Sequence, residues 1–309
     1  MTEPQRILEK WQLPASRLEE EVICDFTVTP LRKKLWLVML DMALELDRVC
    51  TEHGLKFYLI GGSLLGAVRH RGFIPWDDDM DIGMSRSDYD ILRAHPEWFE
   101  APYFLQLPQT DPGCFYGSAK LRNSNTTAYT PFHVWQGINQ GIGIDILPLD
   151  PWVPELGEEI YERIKALNID NSNYMRRSNP RLDAAGRARA ASWSGRDPYE
   201  NLKEIERLAR SFETVEDAPC LSHAVSTVDA YHSNYFPKED LAELIRVPFE
   251  GFMLPIPAGY DHFLTQEYGN YMEFPPVEAR STTHSLHMDP DTPYKETLRR
   301  DGILVREGF

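Results

Sequence analysis

Cysteine is scarce in this 309-residue sequence, which contains only Cys24, Cys50, Cys114 and Cys220. The four are far apart, and no two have the short spacing of a zinc knuckle or a compact disulfide framework. Neither kind of cross-link is therefore expected. We predict a reduced, cytoplasmic setting.

Long apolar runs are also missing. The most apolar predicted helix, from about Leu35 to Val49, is interrupted by Asp41, Glu45 and Asp47, so no membrane span is expected. The N-terminal residues include acids and lack a continuous apolar stretch, so no secretory signal is predicted.

Positive charge is in the minority, with 32 Lys and Arg against 48 Asp and Glu and a formal net charge of −16. A chain of this charge repels the phosphate backbone, which argues against general nucleic-acid binding. The hydrophobic content of 42% is ordinary for a soluble protein, and the length suits one large domain or two modest ones.

The most informative pattern lies between residues 57 and 70. A short apolar strand at 57–60 is followed by Gly61 and Gly62, and Ser63 is predicted to cap the N-terminus of a helix. Free backbone N–H groups and a positive dipole end at such a helix start favour phosphate. The pattern therefore predicts a phosphate-binding turn.

Four acids follow within five positions: Asp77, Asp78, Asp79 and Asp81. If residues 79–82 form a strand, Asp79 and Asp81 lie on one face and the two apolar residues lie on the other. Two such carboxylates about 4 Å apart repel by roughly 4 kcal/mol at an effective dielectric of about 20, so they need a cation or a proton. Oxygen ligands favour Mg²⁺, with Mn²⁺ as an alternative. A solvated acidic turn is the competing interpretation.

Two later segments add charged residues to the predicted site. In 117–122, Lys120 and Arg122 point to one side of a strand, where they either contact a diphosphate or lie on an exposed edge. In 141–147, Asp145 shares its face with Gly141 and Gly143, which leaves space for a ligand or metal. Asp145 is therefore the predicted third metal-binding carboxylate, with a buried turn-capping Asp as the alternative.

The chain divides into four predicted parts. Residues 1–30 form an irregular N-terminal segment, 31–150 the catalytic core, 151–245 a helical and partly basic segment, and 246–309 a C-terminal segment packed on the core. The core begins with an amphipathic helix from Leu31 that ends near His53 and Gly54.

The helical segment contains a run of six arginines between Arg176 and Arg196, with Asp183 as its one acid. In a chain this acidic, the run predicts binding of an anionic acceptor. The alternatives are a solvated helical face or pairing with the chain's own acids.

The sequence GGSLLGAVRHRGFIPWDDDMDIGMSRSDYD, followed by GIDILPLD and the tail IPAGYDHFLTQEYGNYMEFPP, closely resembles the LicD family, which is related to the fukutin proteins. The resemblance covers roughly residues 31–280. It implies an α/β (α+β) fold, with a nucleotidyltransferase-like mixed β-sheet core flanked by helices and a helical, loop-rich insertion and C-terminal part. The zinc insert of the fukutin-related enzymes has no counterpart here, so no zinc is predicted.

The resemblance also implies an activity. Family members use Mg²⁺ to transfer a phospho-alcohol, such as phosphocholine or ribitol phosphate, from a CDP-activated donor to a hydroxyl of a glycan, a teichoic acid or a lipid-linked acceptor. A cytoplasmic protein, or one peripheral to the inner face of the membrane, is expected. A choline group would need an aromatic cage. The candidates for that cage are Trp76, Tyr116, Trp135, Trp152 and Trp193.

The family motif assigns roles to individual residues. Asp79 and Asp81 match its metal-binding pair, Asp145 its third carboxylate, and Asp77 the acid before the pair. Asp145 and Asp77 are alternative proton acceptors. The predicted substrate-binding residues are Gly61, Gly62, Ser63, Arg69, Lys120 and Arg122.

Three other functions compete with phospho-alcohol transfer. Asp77, Asp78 and Asp81 also satisfy the DDxxD pattern of prenyl-diphosphate enzymes, but the bracketing Pro75 and Gly83 disfavour the helix that this pattern needs. Transfer of the nucleoside monophosphate itself would be distinguished by its products. A catalytically silent glycan- or nucleotide-binding module is disfavoured by the presence of all three carboxylates.

Overall fold

The computed structural model describes residues 1–130, 134–226, 235–280 and 287–303. The helices in these ranges are α1 Glu3–Lys10, α2 Pro30–His53, α3 Gly61–His70, α4 Arg86–Ala94, α5 Pro154–Arg176, α6 Ala184–Ala191, α7 Pro198–Ala209, α8 Tyr260–Tyr268 and α9 Tyr294–Arg300. The strands are β1 Glu21–Ile23, β2 Phe26–Val28, β3 Tyr58–Leu59, β4 Asp81–Ser85, β5 Tyr103–Gln106, β6 Ala119–Asn123, β7 Thr127–Tyr129, β8 Ile142–Trp152, β9 Cys220–Ser222, β10 Tyr235–Pro237, β11 Leu244–Phe249, β12 Phe252–Pro257 and β13 His287–Asp289.

A mixed sheet organises the fold around the long strand β8. On one side β8 pairs in parallel with β4, which pairs with β3; on the other side its first half pairs with β6 and its last residues with β9. Strands β5 and β10 extend the sheet beyond β6 and β9. The predicted α/β fold, a mixed sheet flanked by helices, is therefore confirmed, and β8 crosses the predicted boundary at residue 150.

Helix α2 supplies much of the main core against this sheet. Thr29 caps its first turn by accepting a hydrogen bond from Arg32 N, and Gly54 ends it in the left-handed conformation at φ 70°, where glycine is unstrained. Its residues Leu37–Met42 are buried, and α2 packs on β8 and β6. The amphipathic helix predicted from Leu31 to His53 is confirmed.

A second hydrophobic cluster lies under the helical segment. Trp152 at the end of β8 packs with Tyr161 and Ile164 of α5 and with Ile205 and Leu208 of α7. Helix α7 is capped by Asp197, whose carboxylate accepts a hydrogen bond from Tyr199 N. Of the helices that the structure describes, none is both long and apolar enough to cross a membrane.

The N-terminal segment is more regular than predicted. Residues 3–10 form α1, and β1 and β2 pair as a hairpin. The expectation of an irregular segment was wrong because these residues find partners far along the chain. Asp41, buried in α2, accepts hydrogen bonds from Lys10 Nζ and Trp11 Nε1, each at 2.8 Å.

A buried ion pair joins α4 to β8. Arg86 donates from Nε to Asp150 Oδ1 at 2.7 Å and from Nη2 to Asp150 Oδ2 at 2.6 Å. The relative exposure of the two side chains is 6% and 0%. Asp150 is thus the close, two-point partner of Arg86, whose Nη1 also lies 3.9 Å from Asp90 Oδ1.

We expect Asp150→Ala to lower the free energy of unfolding by about 3–5 kcal/mol, because it leaves the buried Arg86 guanidinium without its two close hydrogen bonds to a carboxylate. Urea unfolding followed by circular dichroism measures this loss. Glu200→Ala is the control: Glu200 pairs with Lys203 at the exposed surface, and its removal costs less than about 1 kcal/mol. Equal losses in the two variants would contradict the assignment.

Candidate active site

Three charged residues form a row across neighbouring strands. Asp81 of β4 is the register partner of Asp145 of β8, and Asp145 is the register partner of Lys120 of β6. Side chains at paired positions lie on one face of a sheet, so all three point to the same side. Lys120 Nζ lies 2.5 Å from Asp145 Oδ1 and 2.6 Å from Oδ2. The ammonium group thus neutralises one of two adjacent carboxylates.

The acidic segment alternates as predicted, although its strand begins later. Met80 and Ile82 are fully buried, whereas Asp79 and Asp81 are half-buried on the opposite face. Strand β4 starts at Asp81 rather than at Asp79. None of the acids from Asp77 to Asp81 lies on a helix. The helical DDxxD interpretation is therefore excluded.

The glycine turn meets this row at the start of α3. The helix already begins at Gly61, so Ser63 does not cap it; instead Ser63 Oγ accepts a hydrogen bond of 2.9 Å from Asp81 N. The predicted N-cap was wrong because the serine hydroxyl joins helix to strand. A Cβ on Gly62 would lie 2.9 Å from Asp77 Oδ2, so the carboxylate of Asp77 packs against the turn.

Helix α2 fixes the backbone of the acidic segment at Asp77. The carbonyl oxygen of Asp77 accepts hydrogen bonds from Arg32 Nη1 at 2.7 Å and Trp36 Nε1 at 2.9 Å. Burial lowers the pKa of Arg32, and the nearby Asp78 and Asp77 oppose that shift. Because Arg32 is hydrogen-bonded to the backbone of Asp77, its guanidinium places a positive charge close to Asp77 and Asp78.

These elements enclose a cavity of about 630 Å³, which we call the central cavity. A volume of this size is typical of small-molecule sites. Its polar lining includes Gly61, Gly62, Asp79, Asp81, Ser118, Lys120, Asp145, Asn168, Ser172, His223, Glu267 and Tyr268. Its apolar and aromatic lining includes Phe115, Tyr116, Phe236 and Phe263.

The sequence reasoning missed Glu267 and Tyr268, which α8 brings to the cavity from the far end of the chain. A Cβ on Gly61 would lie 3.7 Å from Asp81 Oδ2 and 4.0 Å from both Glu267 Oε1 and Tyr268 OH. Desolvation, with the Glu267, Asp81 and Asp77 carboxylates, raises the pKa of Tyr268, although 40% of the residue's surface stays exposed. Its phenol is thus a hydrogen-bond donor near neutral pH. The only sequence signal was the C-terminal family tail, which by itself assigned no side chain.

Residues 54–151 match the family described as LicD/FKTN/FKRP, nucleotidyltransferase domain. The chain carries a LicD-family domain. All three carboxylates, the glycine turn and Lys120 fall within the matched residues, whereas Glu267 and Tyr268 lie outside them. The resemblance drawn from the motif is confirmed.

Similarity to individual proteins extends beyond the LicD domain. The chain is 26% identical over 257 residues to the lipopolysaccharide cholinephosphotransferase LicD of Haemophilus influenzae, which covers 80% of this chain and 94% of that protein. It is 54% identical over 35 residues to the human ribitol 5-phosphate transferase FKRP, which is 11% of this chain and 7% of that protein. An uncharacterised protein of Rickettsia prowazekii is 40% identical over 64 residues, 21% of this chain and 24% of that protein.

The carboxylates in the cavity are of the type that Mg²⁺ prefers, since Asp79, Asp81 and Asp145 all present hard oxygen ligands there. Within the described ranges, however, no three His, Cys, Asp or Glu side chains are grouped closely enough to hold an ion. Asp145 instead faces Lys120. Mg²⁺ commonly binds through one or two carboxylates together with substrate phosphates, so a preformed protein cage is not required.

Arg122 lies on the same face as Lys120, but its guanidinium is hydrogen-bonded to other residues of the protein. It is 8% exposed, donates from Nε to Gln106 Oε1 at 2.6 Å, and donates from Nη1 to the carbonyl of Gly141 at 2.6 Å. It is not part of the cavity lining. Its position therefore does not support the expected contact with substrate.

The space beside Gly141 and Gly143 is also occupied by protein. A Cβ on Gly141 would lie 2.2 Å from the carbonyl oxygen of Asn123, and one on Gly143 would lie 3.2 Å from Arg122 Cγ. The prediction that these glycines leave room for a ligand was wrong, because they admit the neighbouring strand β6.

Arg69 likewise lies outside the cavity lining and holds the C-terminal segment. Its Nη1 donates to the carbonyl oxygens of Tyr271 at 2.7 Å and Glu273 at 3.1 Å, and its guanidinium lies 5.3 Å from the Phe274 ring centroid. The segment that Arg69 holds directly follows α8. We therefore assign Arg69 to positioning α8 rather than to contacting substrate.

We expect Arg69→Ala to increase amide hydrogen exchange in residues 269–280 by about tenfold or more, because the segment loses its anchor. The exchange of β4 and β8 should not change. Hydrogen exchange with mass spectrometry gives both readings, and Lys56→Ala, at an exposed loop position, is the control. Unchanged exchange of 269–280 in Arg69→Ala would refute the anchoring role.

Proposed function

We propose that this protein transfers a phospho-alcohol from a CDP-activated donor to a hydroxyl of a glycan, teichoic-acid or lipid-linked acceptor. The observation that carries the proposal is the row of Asp81, Asp145 and Lys120 beside the glycine turn of a LicD-family domain. A phosphate-binding helix start next to adjacent carboxylates and a cation suits a diphosphate donor. The relatives named for cholinephosphate and ribitol 5-phosphate transfer favour this reaction over nucleotidyl transfer.

The donor's diphosphate would lie between the start of α3 and Lys120. The backbone N–H groups at Gly61 and Gly62 would bind one phosphate, and Lys120 would turn from Asp145 to the other. Asp79 and Asp81 would hold Mg²⁺, or Mn²⁺ in its place, and the released Asp145 would be available to accept a proton. When bound, the ion would polarise the phosphoryl group and stabilise the leaving phosphate.

The bond changes follow from this placement. The acceptor hydroxyl oxygen bonds to the phosphorus that bears the alcohol, the bond from that phosphorus to the bridging oxygen breaks, and CMP leaves. The hydroxyl proton passes to a carboxylate. Asp145 lines the cavity, whereas Asp77 packs against the glycine turn outside the lining, so we favour Asp145 as the proton acceptor.

The aromatic lining suits a cationic alcohol such as choline. Phe115, Tyr116, Phe263 and Tyr268 surround a cavity that also contains four carboxylates, so ring faces and negative charge would both attract a quaternary ammonium. Of the five aromatic candidates from sequence, only Tyr116 lines this cavity. Trp152, for example, is fully buried in the second hydrophobic cluster.

We expect Asp81→Asn to lower transfer by about 10²- to 10³-fold or more while the protein stays folded, because a carboxylate that would hold Mg²⁺ at the reacting diphosphate is lost. The assay follows CMP release from a panel of CDP-alcohols with Mg²⁺ present. Asp217→Asn, at an exposed position outside the cavity, is the matched control. A near-normal rate for Asp81→Asn would overturn the assignment, and release of the phospho-alcohol (phosphocholine from CDP-choline) instead of CMP would indicate nucleotidyl transfer.

The choice of proton acceptor has its own test. We expect Asp145→Asn to bind CDP-choline in calorimetry yet to transfer about 10²- to 10⁴-fold more slowly, whereas Asp77→Asn keeps most of the activity. Single-turnover rates separate this chemical step from product release. Unchanged turnover in Asp145→Asn would rule out Asp145, and a selective loss in Asp77→Asn would assign the role to Asp77.

A further inference from the structure

The arginine-rich stretch begins at the rim of the central cavity. Ser172 and Met175 of α5 line the cavity, and α5 ends one residue later at Arg176. Gln136 Nε2 donates a 2.6 Å hydrogen bond to the carbonyl oxygen of Met175, which fixes this end of the helix. The arginines that follow therefore lie on a surface continuous with the proposed active site.

The exposed arginines of this stretch are not paired with the chain's own acids. Arg177, Arg181, Arg187, Arg189 and Arg196 are all exposed, and none lies within 4 Å of a carboxylate in the described parts of the chain. The one acid within the stretch, Asp183, caps α6 by accepting a hydrogen bond from Gly186 N at 2.6 Å. For these five arginines the alternative interpretation, internal ion pairing, was wrong.

Several arginines elsewhere in the described chain are paired with acids. Arg48, Arg93, Arg210 and Arg246 each form an ion pair with at least one acid. With a net charge of −16, the chain has acids to spare. The unpaired arginines at the cavity rim thus form a local positive field, which attracts an anion that the rest of this negative molecule repels.

Aromatic rings hold two of these guanidinium groups in place. The Arg177 guanidinium lies 4.1 Å from the Trp193 ring centroid, and that of Arg181 lies 5.2 Å from the Trp135 ring centroid. A cation–π contact does not use up the N–H donors of a guanidinium, which can still engage two oxygens of a phosphate. The ring contacts therefore restrain the two cations without neutralising them.

The rings also connect this surface to the cavity. Trp193 contacts Tyr174 at 5.4 Å between ring centroids, and Tyr174 contacts Phe115 at 5.3 Å. Phe115 lines the central cavity. Burial and the neighbouring Arg189 lower the pKa of Arg176, which agrees with positive charges crowded together at the rim.

We propose that the surface formed by Arg177, Arg181, Arg187 and Arg189 with Trp135 and Trp193 binds the phosphate groups of an anionic glycan acceptor and directs its hydroxyl into the central cavity. This inference rests on the proposed function, because it supplies the acceptor for that reaction. It separates the two substrates in space: the donor binds at the carboxylates, and the acceptor's phosphates bind to the arginines at the cavity rim.

The test measures acceptor binding without the reaction. Fluorescence anisotropy of a labelled phosphomannan oligosaccharide, with no donor present, reports binding to the full chain, and the same oligosaccharide after phosphatase treatment shows whether phosphate is recognised. We expect Arg189→Glu and Arg181→Glu each to weaken binding by about tenfold or more, the effect of losing a charge-assisted hydrogen bond. Added salt should weaken binding of the wild type.

Lys56→Glu is the matched control, since it makes the same charge reversal at an exposed position outside the arginine stretch. It should bind the phosphomannan as the wild type does, and all variants should bind CDP-choline equally in calorimetry. Equal phosphomannan affinity in Arg189→Glu and Lys56→Glu would overturn the proposal. So would a loss of binding to phosphatidylglycerol vesicles in Arg189→Glu with phosphomannan binding unchanged, which would make this a membrane-binding surface.

The result is distinguishable from a failure of the proposed function. If the wild type binds phosphomannan through these arginines but neither binds nor consumes any CDP-alcohol, the surface assignment stands and the transfer reaction is wrong. If CDP-alcohol turnover is observed and the arginine variants keep the wild-type KM for the phosphorylated acceptor, the transfer reaction stands and the acceptor surface is wrong.

Discussion

The parallel pairing of β4 with β8 fixes the relative position of the two carboxylates on which the site depends. Its register places Asp81 beside Asp145, and the antiparallel pairing of β8 with β6 adds Lys120 to the same row. A slip of one residue would turn Asp81 towards the core and expose Ile82, so burial of the apolar face enforces the register. The hydrophobic core thus holds two like charges together, at a Coulomb cost that Lys120 offsets.

The remaining walls of the cavity come from segments distant in sequence. Helix α5 provides one wall after the LicD-family domain ends, and α8 closes another with Glu267 and Tyr268. Arg69 on α3 anchors the backbone beyond α8 and so connects the glycine turn to the C-terminal segment. A substitution in the segment after α8 can therefore alter the active site without changing any residue of the glycine turn or the acidic segment.

Predictions from local sequence patterns were correct where a single helix or strand determines the structure. Alternation placed Asp79 and Asp81 opposite Met80 and Ile82, and the spacing of apolar residues located α2 and its glycine stop. They were wrong where a side chain contacts a residue of a different helix or strand. Ser63 bonds to Asp81 instead of capping its own helix, and the space beside Gly143 is filled by Arg122. Neither partner is visible in the local sequence.

The sequence's motifs resembled the LicD family, and that resemblance implied the mixed α/β fold. Local patterns located the carboxylates and the unusual positive charge between Arg176 and Arg196, because strand alternation and charge composition are local properties of the chain. Only the tertiary structure decided which of these charges meet: Lys120 faces Asp145, Arg122 turns to Gln106, and α8 delivers Glu267. Strand register and helix packing set those encounters, and both depend on contacts between residues far apart in the chain.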